Sequence, residues 1–128
     1  MERLKKFFDK ARIHTNRGEE AESIALDYLK KQGLRLIERN YRCRNGEIDL
    51  IMDDSGTLVF VEVRFRKMAV FGSALESIDT RKKSRIIHCA SHYLSAQRFS
   101  GTARFDVIAI SPLAEQLDID WVQDAFQV

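Results

Sequence analysis

Two acidic residues on neighbouring apolar segments are the clearest sign of chemistry in this sequence. Asp49 lies in the stretch Gly-Glu-Ile-Asp-Leu-Ile at 46–51, and Glu62 lies in Val-Glu-Val-Arg at 61–64. An unpaired charge buried in an apolar strand carries a large free-energy cost. Each carboxylate therefore needs a partner, and a divalent metal ion is one partner that could serve both.

The turn signature Asp-Asp-Ser-Gly at 53–56 predicts an antiparallel hairpin that joins the two segments. With a loop of two or four residues, the numbers of paired residues sum to 111 or 109, and Asp49 lies beside or diagonal to Glu62 on one face. A three-residue loop would separate them. Strand alternation further predicts that Glu47, Asp49 and Ile51 share a face, and that Glu62 and Arg64 share one.

The chemistry of such a pair suits phosphate. Mg²⁺ is usually held by one or two carboxylates together with waters and phosphate oxygens, which makes a metal-assisted phosphodiester hydrolase one hypothesis. The structural alternative is that Glu62 pairs with Arg64 or another arginine, and that Asp49 only ends a strand.

The elements that must position these residues follow from hydrophobic periodicity and turn residues. We predict an α/β sandwich, a small mixed sheet flanked by helices, formed by residues 16–128 as one domain. Residues 1–15 are predicted to form a basic amphipathic helix or arm. The predicted order is a helix from Asn16 to Gly33, strands at 34–42 (Leu34, Leu36 and Ile37 inward), 47–52 and 57–65, a loop at 66–78, a helix capped by Asp79 or Thr80, a strand at 104–110 ended by Ser111-Pro112, and an optional edge strand at 117–122.

The distribution of charge favours a polyanionic partner. The net charge of +2 is uneven, because residues 1–112 hold 21 basic against 15 acidic residues, and the segment after Pro112 holds four acids and no Lys or Arg. Nucleic acid is the first candidate for such a partner. The bases fall into three clusters near the carboxylates: Arg35/Arg39/Arg42/Arg44, Arg64/Arg66/Lys67 and Arg81/Lys82/Lys83/Arg85.

Other classes of function find little support. No apolar run approaches the roughly 18 to 20 residues of a membrane span, and the N-terminus lacks a signal-like apolar segment, so we expect no membrane association and a cytoplasmic location. Reduced thiols are expected for Cys43 and Cys89 rather than a disulfide. His88 and His92 flank Cys89 at helical spacing, but no third zinc ligand is evident.

Three motifs together resemble a known family. The stretches Gly-Glu-Ile-Asp-Leu-Ile at 46–51, Val-Phe-Val-Glu-Val-Arg-Phe-Arg at 59–66 and Arg-Phe-Asp-Val-Ile-Ala-Ile at 104–110 are similar to those of the YraN-like bacterial family. That family is placed in the PD-(D/E)xK nuclease superfamily, near the archaeal Holliday-junction resolvases, and the resemblance covers about residues 16–126. It implies a restriction-endonuclease-like core of a helix, three antiparallel strands, a helix and a strand.

The resemblance also implies a metal site. Asp49 and Glu62 match the two acidic metal ligands of the superfamily, and the backbone carbonyl of Val63 matches a further ligand. Glu22 matches the glutamate of the first helix that completes many such sites, with a solvated helix glutamate as its alternative. The implied cofactor is Mg²⁺ or Mn²⁺, and Glu22, Asp49, Glu62 and Arg64 are the predicted catalytic residues.

Arg64 departs from the superfamily pattern, which has lysine at this position. Arginine grips phosphate well, but with a pKa above about 12 it cannot act as a general base. Lys82 on the second helix matches a family lysine and could substitute, although a surface lysine is the alternative. The resemblance also admits a homodimer. The predicted nucleic-acid-binding residues are Arg42, Arg44, Arg66, Lys67 and Lys82.

These observations leave three functions open. The first is a metal-dependent endonuclease-like protein that hydrolyses DNA, with branched or damaged DNA as substrate by analogy with the resolvases. The second is a nucleic-acid-binding module that keeps the nuclease fold without turnover, as the arginine at position 64 would allow. The third is a protein-interaction scaffold whose basic face meets no nucleic acid.

Overall fold

The computed structural model describes residues 17–66 and 74–127. The predicted arm at 1–15, the cap at Asn16 and Lys67 therefore lie outside the described residues. The elements are helix α1 (Arg17–Lys31), strands β1 (Arg35–Cys43), β2 (Gly46–Asp54) and β3 (Thr57–Phe65), a short 3-10 helix (Ala74–Ser77), helix α2 (Thr80–Ala96), and strands β4 (Ala103–Leu113) and β5 (Gln116–Phe126).

Local chemistry explains where the helices begin and end. Helix α1 has acidic residues in its first turn and lysines in its last, which complements the helix dipole, and Gly33 follows at a φ of 100° that favours glycine. Helix α2 begins after Asp79, whose Oδ1 accepts a 2.8 Å hydrogen bond from the backbone N–H of Lys82. The predictions of Gly33 as the stop and Asp79 as the cap are confirmed.

The five strands form one mixed sheet in the order β1-β2-β3-β4-β5. Strands β1 to β3 are antiparallel, β3 and β4 run parallel, and β5 returns antiparallel to β4. Helix α1 packs on one face, where Leu29 meets Leu50 and Val61, and α2 packs on the other, where Tyr93 meets Phe60. The predicted fold class, a mixed sheet flanked by helices, is confirmed.

The hairpin of β2 and β3 has the predicted parity. Asp54 pairs with Thr57 across the two-residue turn Ser55-Gly56, and the register continues to Leu50 opposite Val61, so the residue numbers sum to 111. The shared face predicted for Asp49 and Ile51 is wrong. Ile51 packs in the core cluster that contains Ile86 and Tyr93 of α2. Asp49 instead lies beside Glu22 of α1, so the side chains of β2 do not alternate strictly between these two positions.

Two details of the strands also differ from the predictions. Ile37 was predicted to point inward but is 41% exposed, because the register of β1 shifts between Leu36 and Glu38. Strand β4 does not end at Pro112, which pairs with Leu117 of β5. The register of β3 ends opposite Ile110, so β4 needs no hydrogen-bond donor toward β3 at the proline. In the predicted loop, the described residues Ala74–Ser77 form one 3-10 turn.

Cys43 and Cys89 form a disulfide, so the expectation of reduced thiols is wrong. Their Cα atoms lie 5.6 Å apart, within the range for such bonds, although 46 positions separate them in the chain. The bond ties the end of β1 to the middle of α2. The bond occupies Cys89, which lies between the two histidines considered above as zinc ligands. One of them, His92, has its Nδ1 2.6 Å from the Tyr41 hydroxyl.

The two edges of the sheet carry opposite charge. Strand β1 contains three arginines and one glutamate, and strand β5 contains three aspartates and no basic residue. Among the described residues, no helix is both long and apolar enough to cross a membrane.

Candidate metal and phosphate site

Acidic and basic side chains from four elements meet at the end of the sheet where β2 begins and β3 ends. Strand β2 supplies Glu47 and Asp49, β3 supplies Glu62 and Arg64, α1 supplies Glu22, and α2 supplies Lys82. Because β2 and β3 are antiparallel, the start of one strand and the end of the other lie at the same end of the sheet. Both helices present their N-terminal halves there, since Glu22 and Lys82 lie early in α1 and α2.

Glu22, Glu47 and Asp49 form a carboxylate cluster, in which one oxygen atom from each residue lies within 4.8 Å of the other two. Asp49 is 8% exposed, and its Oδ2 accepts a 2.8 Å hydrogen bond from the backbone N–H of Val63. This bond fixes the Asp49 side chain between the two strands.

Glu22 is held toward the sheet rather than toward solvent. Arg39 of β1 donates hydrogen bonds to Ser23 Oγ at 2.9 Å and to the carbonyl of Glu19 at 3.0 Å, which joins β1 to α1 beside the cluster. Arg39 Nε lies 3.6 Å from Glu22 Oε1, an ion-pair distance too long for a hydrogen bond. Within 17–66 and 74–127, this buried oxygen has no hydrogen-bond partner.

Burial and mutual repulsion raise the proton affinity of the cluster. Burial, reinforced by the charge of Asp49, raises the pKa of Glu22 from 4.5 to about 7. Burial, reinforced by the charge of Glu62, raises the pKa of Asp49 from 3.8 to about 8. A cation placed between these groups would remove the repulsion that favours their protonated forms.

Glu62 has a different partner from the one that the structural alternative assigned to it. Its side chain is 3% exposed, and its Oε2 lies 3.0 Å from Lys82 Nζ. Lys82, rather than Arg64 or another arginine, neutralises this buried carboxylate. The charge of Glu62 also acts on Asp49, so the Glu62–Lys82 pair lies next to the carboxylate cluster.

Arg64 lines a cavity of about 280 Å³ with Lys82 and Arg85 at the start of α2. Its Nε is buried and makes no hydrogen bond to any described residue. The guanidinium therefore keeps donor capacity for a ligand in the cavity. Its position beside Lys82 brings the two cations predicted to act on phosphate to one place.

The other predicted nucleic-acid-binding residues are placed unevenly around the site. Arg42 is exposed and lies 3.3 Å from Glu47, at the entrance of the carboxylate cluster. Arg44 is exposed in the turn between β1 and β2. Arg66 follows β3 directly, and its Nε is buried without a hydrogen bond to the described residues.

The carboxylate cluster fits a hard divalent cation. It offers several oxygen atoms at short mutual distance, one of which is buried and lacks a hydrogen bond, and Mg²⁺ and Mn²⁺ prefer oxygen ligands. Glu22, Glu47 and Asp49 are the residues that would hold such an ion first, with Glu62 adjacent.

The sequence predicted no ligand role for Glu47, and it placed Arg85 in a basic cluster without predicting a specific contact. A signal for Glu47 was present, because residues two apart on a strand share a face and Asp49 is already a candidate ligand. Arg85 lies one turn beyond Lys82, so the spacing of three placed both on one side of α2.

We expect Mn²⁺ to raise the melting temperature more at about pH 8.5 than at about pH 6. The folded metal-free protein holds protons on Glu22 and Asp49 that the unfolded chain releases near pH 4, so its stability falls as the pH rises through about 7 and 8. Metal binding displaces those protons and is easiest where they are already lost. Thermal unfolding with Mn²⁺ or EDTA across this pH range measures the effect.

The matched control for this experiment is Glu115→Gln, in the exposed turn between β4 and β5, which should respond to Mn²⁺ as the wild type does. Asp49→Asn should abolish the response. A Mn²⁺ shift that is equal at both pH values, or larger at the lower one, would contradict the assignment of these carboxylates as ligands.

Fold and site together define an α/β protein whose mixed sheet presents carboxylates and bases at one end. The chain belongs to the uncharacterised protein family UPF0102, whose model matches residues 21–110 and so includes every described residue of the site. The UPF0102 protein of Nitrosococcus oceani is 48% identical over 93% of this chain and 98% of its own length. The relative from Methylococcus capsulatus is 49% identical over 86% of this chain and 89% of its own. The resemblance to the YraN-like family is thus confirmed, and the nuclease superfamily stays a prediction.

Among solved structures, Pyrococcus furiosus SfsA in complex with Ca²⁺ aligns with 92% of this chain at 11% identity. This chain spans 65% of the length of that one, and the TM-score is 0.31. A similarity at this level supports no functional argument.

Proposed function

We propose that this protein is a divalent-metal-dependent endonuclease that hydrolyses phosphodiester bonds of DNA. The observation that carries the proposal is the carboxylate cluster of Glu22, Glu47 and Asp49 beside the Glu62–Lys82 pair and Arg64. Oxygen ligands for a metal and cations for a phosphate are adjacent there, as phosphoryl-transfer chemistry requires. The motifs that resemble the PD-(D/E)xK superfamily support the same reaction, and the likeness to resolvases favours branched or damaged DNA as substrate.

Each side chain has a role that its surroundings allow. Glu22, Glu47 and Asp49 hold Mg²⁺ or Mn²⁺, and Glu62 with the Val63 carbonyl completes the ligand set that the resemblance implies. When bound, the ion supplies Lewis-acid stabilisation of charge on the phosphate and acidifies the attacking water. The oxygen of water bonds to phosphorus as the ester P–O bond breaks, and the proton that water loses is balanced by the proton that the leaving oxygen gains.

Lys82 provides the ammonium that the strand motif lacks. Its Nζ lies 3.0 Å from Glu62, the position from which a lysine can orient water and stabilise phosphate charge. Arg64 offers a planar guanidinium that grips a phosphate oxygen instead of moving a proton. The tasks that the superfamily gives to one strand lysine are thus divided: Lys82 of α2 orients water, and Arg64 of β3 binds the phosphate.

Cleavage assays on junction, flap and single-stranded DNA test this function. The wild type should produce cleaved DNA with Mg²⁺ or Mn²⁺ and none with EDTA, and Glu62→Ala purified in parallel should lose the activity. Equal residual cleavage by both proteins would identify a contaminating nuclease and remove the catalytic claim.

The arginine at position 64 favours one alternative, a nucleic-acid-binding module without turnover. This alternative predicts salt-sensitive DNA binding with no product at any metal concentration. Arg64→Lys discriminates between the two functions. If the wild type is inactive and the variant cleaves DNA, the wild type is the binding module.

A further inference from the structure

We infer that a groove along the N-terminal half of α2 holds the phosphate backbone of one nucleic-acid strand, and that Arg85 is its central contact. The inference deepens the proposed function, on which it rests for the identity of the ligand. The groove comprises two cavities that have Lys82 and Arg85 in common. In the part of the chain that the structure describes, five cations line it: Arg42, Arg64, Arg81, Lys82 and Arg85.

The two cavities meet at Lys82 and Arg85. The first, of about 280 Å³, is bounded by these residues together with Arg64, Arg81, Ser77 and Asp79. The second, of about 300 Å³, extends from them toward Arg42 and the start of β2. Because Lys82 and Arg85 line both cavities, a ligand that spans the two would contact these cations on each side.

The charge of the groove selects an anion. Its acidic wall residues are Asp79 and Glu47, and both are already engaged. Asp79 accepts the capping hydrogen bond from the backbone of Lys82, and Glu47 pairs with Arg42. The buried Nε of Arg64 has no hydrogen bond to a described residue, so it adds an unsatisfied donor to the first cavity.

The composition of the walls indicates which part of a nucleic acid is recognised. Among residues 17–66 and 74–127, no aromatic side chain lines either cavity, so the described walls offer no stacking platform for a base. Cationic walls without such a platform contact phosphates and carry no information about base identity. We therefore expect binding that depends on salt and is indifferent to base composition.

Arg85 can be tested without disturbing the packing of α2. A Cβ at Gly46 would lie 3.3 Å from the Cβ of Arg85, so β2 and α2 touch at this level of the side chain. Arg85→Ala keeps that Cβ and removes the exposed side chain beyond it, including the guanidinium. Arg85→Lys restores one charge, and Lys31→Ala, exposed at the end of α1, is the matched control for loss of a base elsewhere.

The test is fluorescence anisotropy with labelled oligothymidylate and oligodeoxyadenylate in EDTA, which measures binding without cleavage. Arg85→Ala should weaken binding of both oligonucleotides about tenfold and lower the slope of log K against log salt by about 0.7, with partial recovery in Arg85→Lys and no change in Lys31→Ala. Unchanged binding by Arg85→Ala, or an effect on one base only, would overturn the groove.

The proposal of the groove and the proposal of hydrolysis can each be contradicted without the other. If Arg85→Ala weakens binding but the wild type yields no product with any metal, the groove is supported and the nuclease proposal fails. If the wild type cleaves DNA and Arg85→Ala binds it normally, the nuclease proposal is supported and the groove is wrong.

Discussion

Replacement of Asp49 by asparagine is expected to lower the rate of metal-dependent DNA cleavage by roughly 10³-fold while leaving the fold intact. Asp49 is the most buried member of the carboxylate cluster and accepts a hydrogen bond from the backbone N–H of Val63. Asparagine retains an oxygen that can accept the Val63 N–H but lacks the negative charge that holds a cation. Single-turnover cleavage with saturating Mn²⁺ measures the loss.

A second measurement on Asp49→Asn separates lost chemistry from lost structure. Burial raises the pKa of Asp49, so its ionised form destabilises the metal-free protein near pH 8. Asparagine carries no charge, and the melting temperature of the variant in EDTA should therefore equal or exceed that of the wild type. Glu115→Gln should match the wild type in both assays. Cleavage by Asp49→Asn within tenfold of the wild-type rate would refute the assignment of this ligand.

Loss of the disulfide is expected to reduce the free energy of unfolding by about 4 kcal/mol, because the bond closes a loop of 46 residues in the unfolded chain. For a domain of this length, such a change lowers the melting temperature by roughly 10 to 15 °C. The measurement is urea unfolding of the protein oxidised with glutathione disulfide, compared with the Cys43→Ser, Cys89→Ser double variant. A thiol titration before and after reduction verifies the state of the bond.

The double variant also provides the control for reductant. Dithiothreitol should destabilise the wild type to about the level of the variant and leave the variant itself unchanged. A difference of less than about 1 kcal/mol between oxidised and reduced wild type would show that the loop-entropy account does not apply to this bond.

The hairpin could be predicted from sequence because local chemistry determines it. The turn residues at 53–56 predict a short loop but leave its length open, and the two-residue turn of the structure gives the parity that brings Asp49 close to Glu62. The order of helices and strands along the chain followed as well, since hydrophobic periodicity distinguishes helices from strands wherever one face is buried. The exposure of Ile37 did not follow, because a bulge shifts the register without a distinct residue signature.

The parts of the site that the sequence missed depend on contacts between distant elements. Glu47 beside Arg42 resembles an ordinary surface ion pair until Glu22 of α1 is brought beside it. Lys82 could be ranked only as a candidate, since its contact with Glu62 requires the packing of α2 on the sheet. The bond between Cys43 and Cys89 likewise joins residues that no local pattern relates.

The opposite charges of the two sheet edges have a consequence for how the protein meets its ligand. With the arginines of β1 at one edge and the aspartates of β5 at the other, the domain has an electric dipole directed across the sheet. The field of a polyanion exerts a torque on this dipole, which turns the β1 edge toward the polyanion and the β5 edge away from it. We expect the molecule to be oriented before it touches DNA, which increases the fraction of productive encounters at low salt.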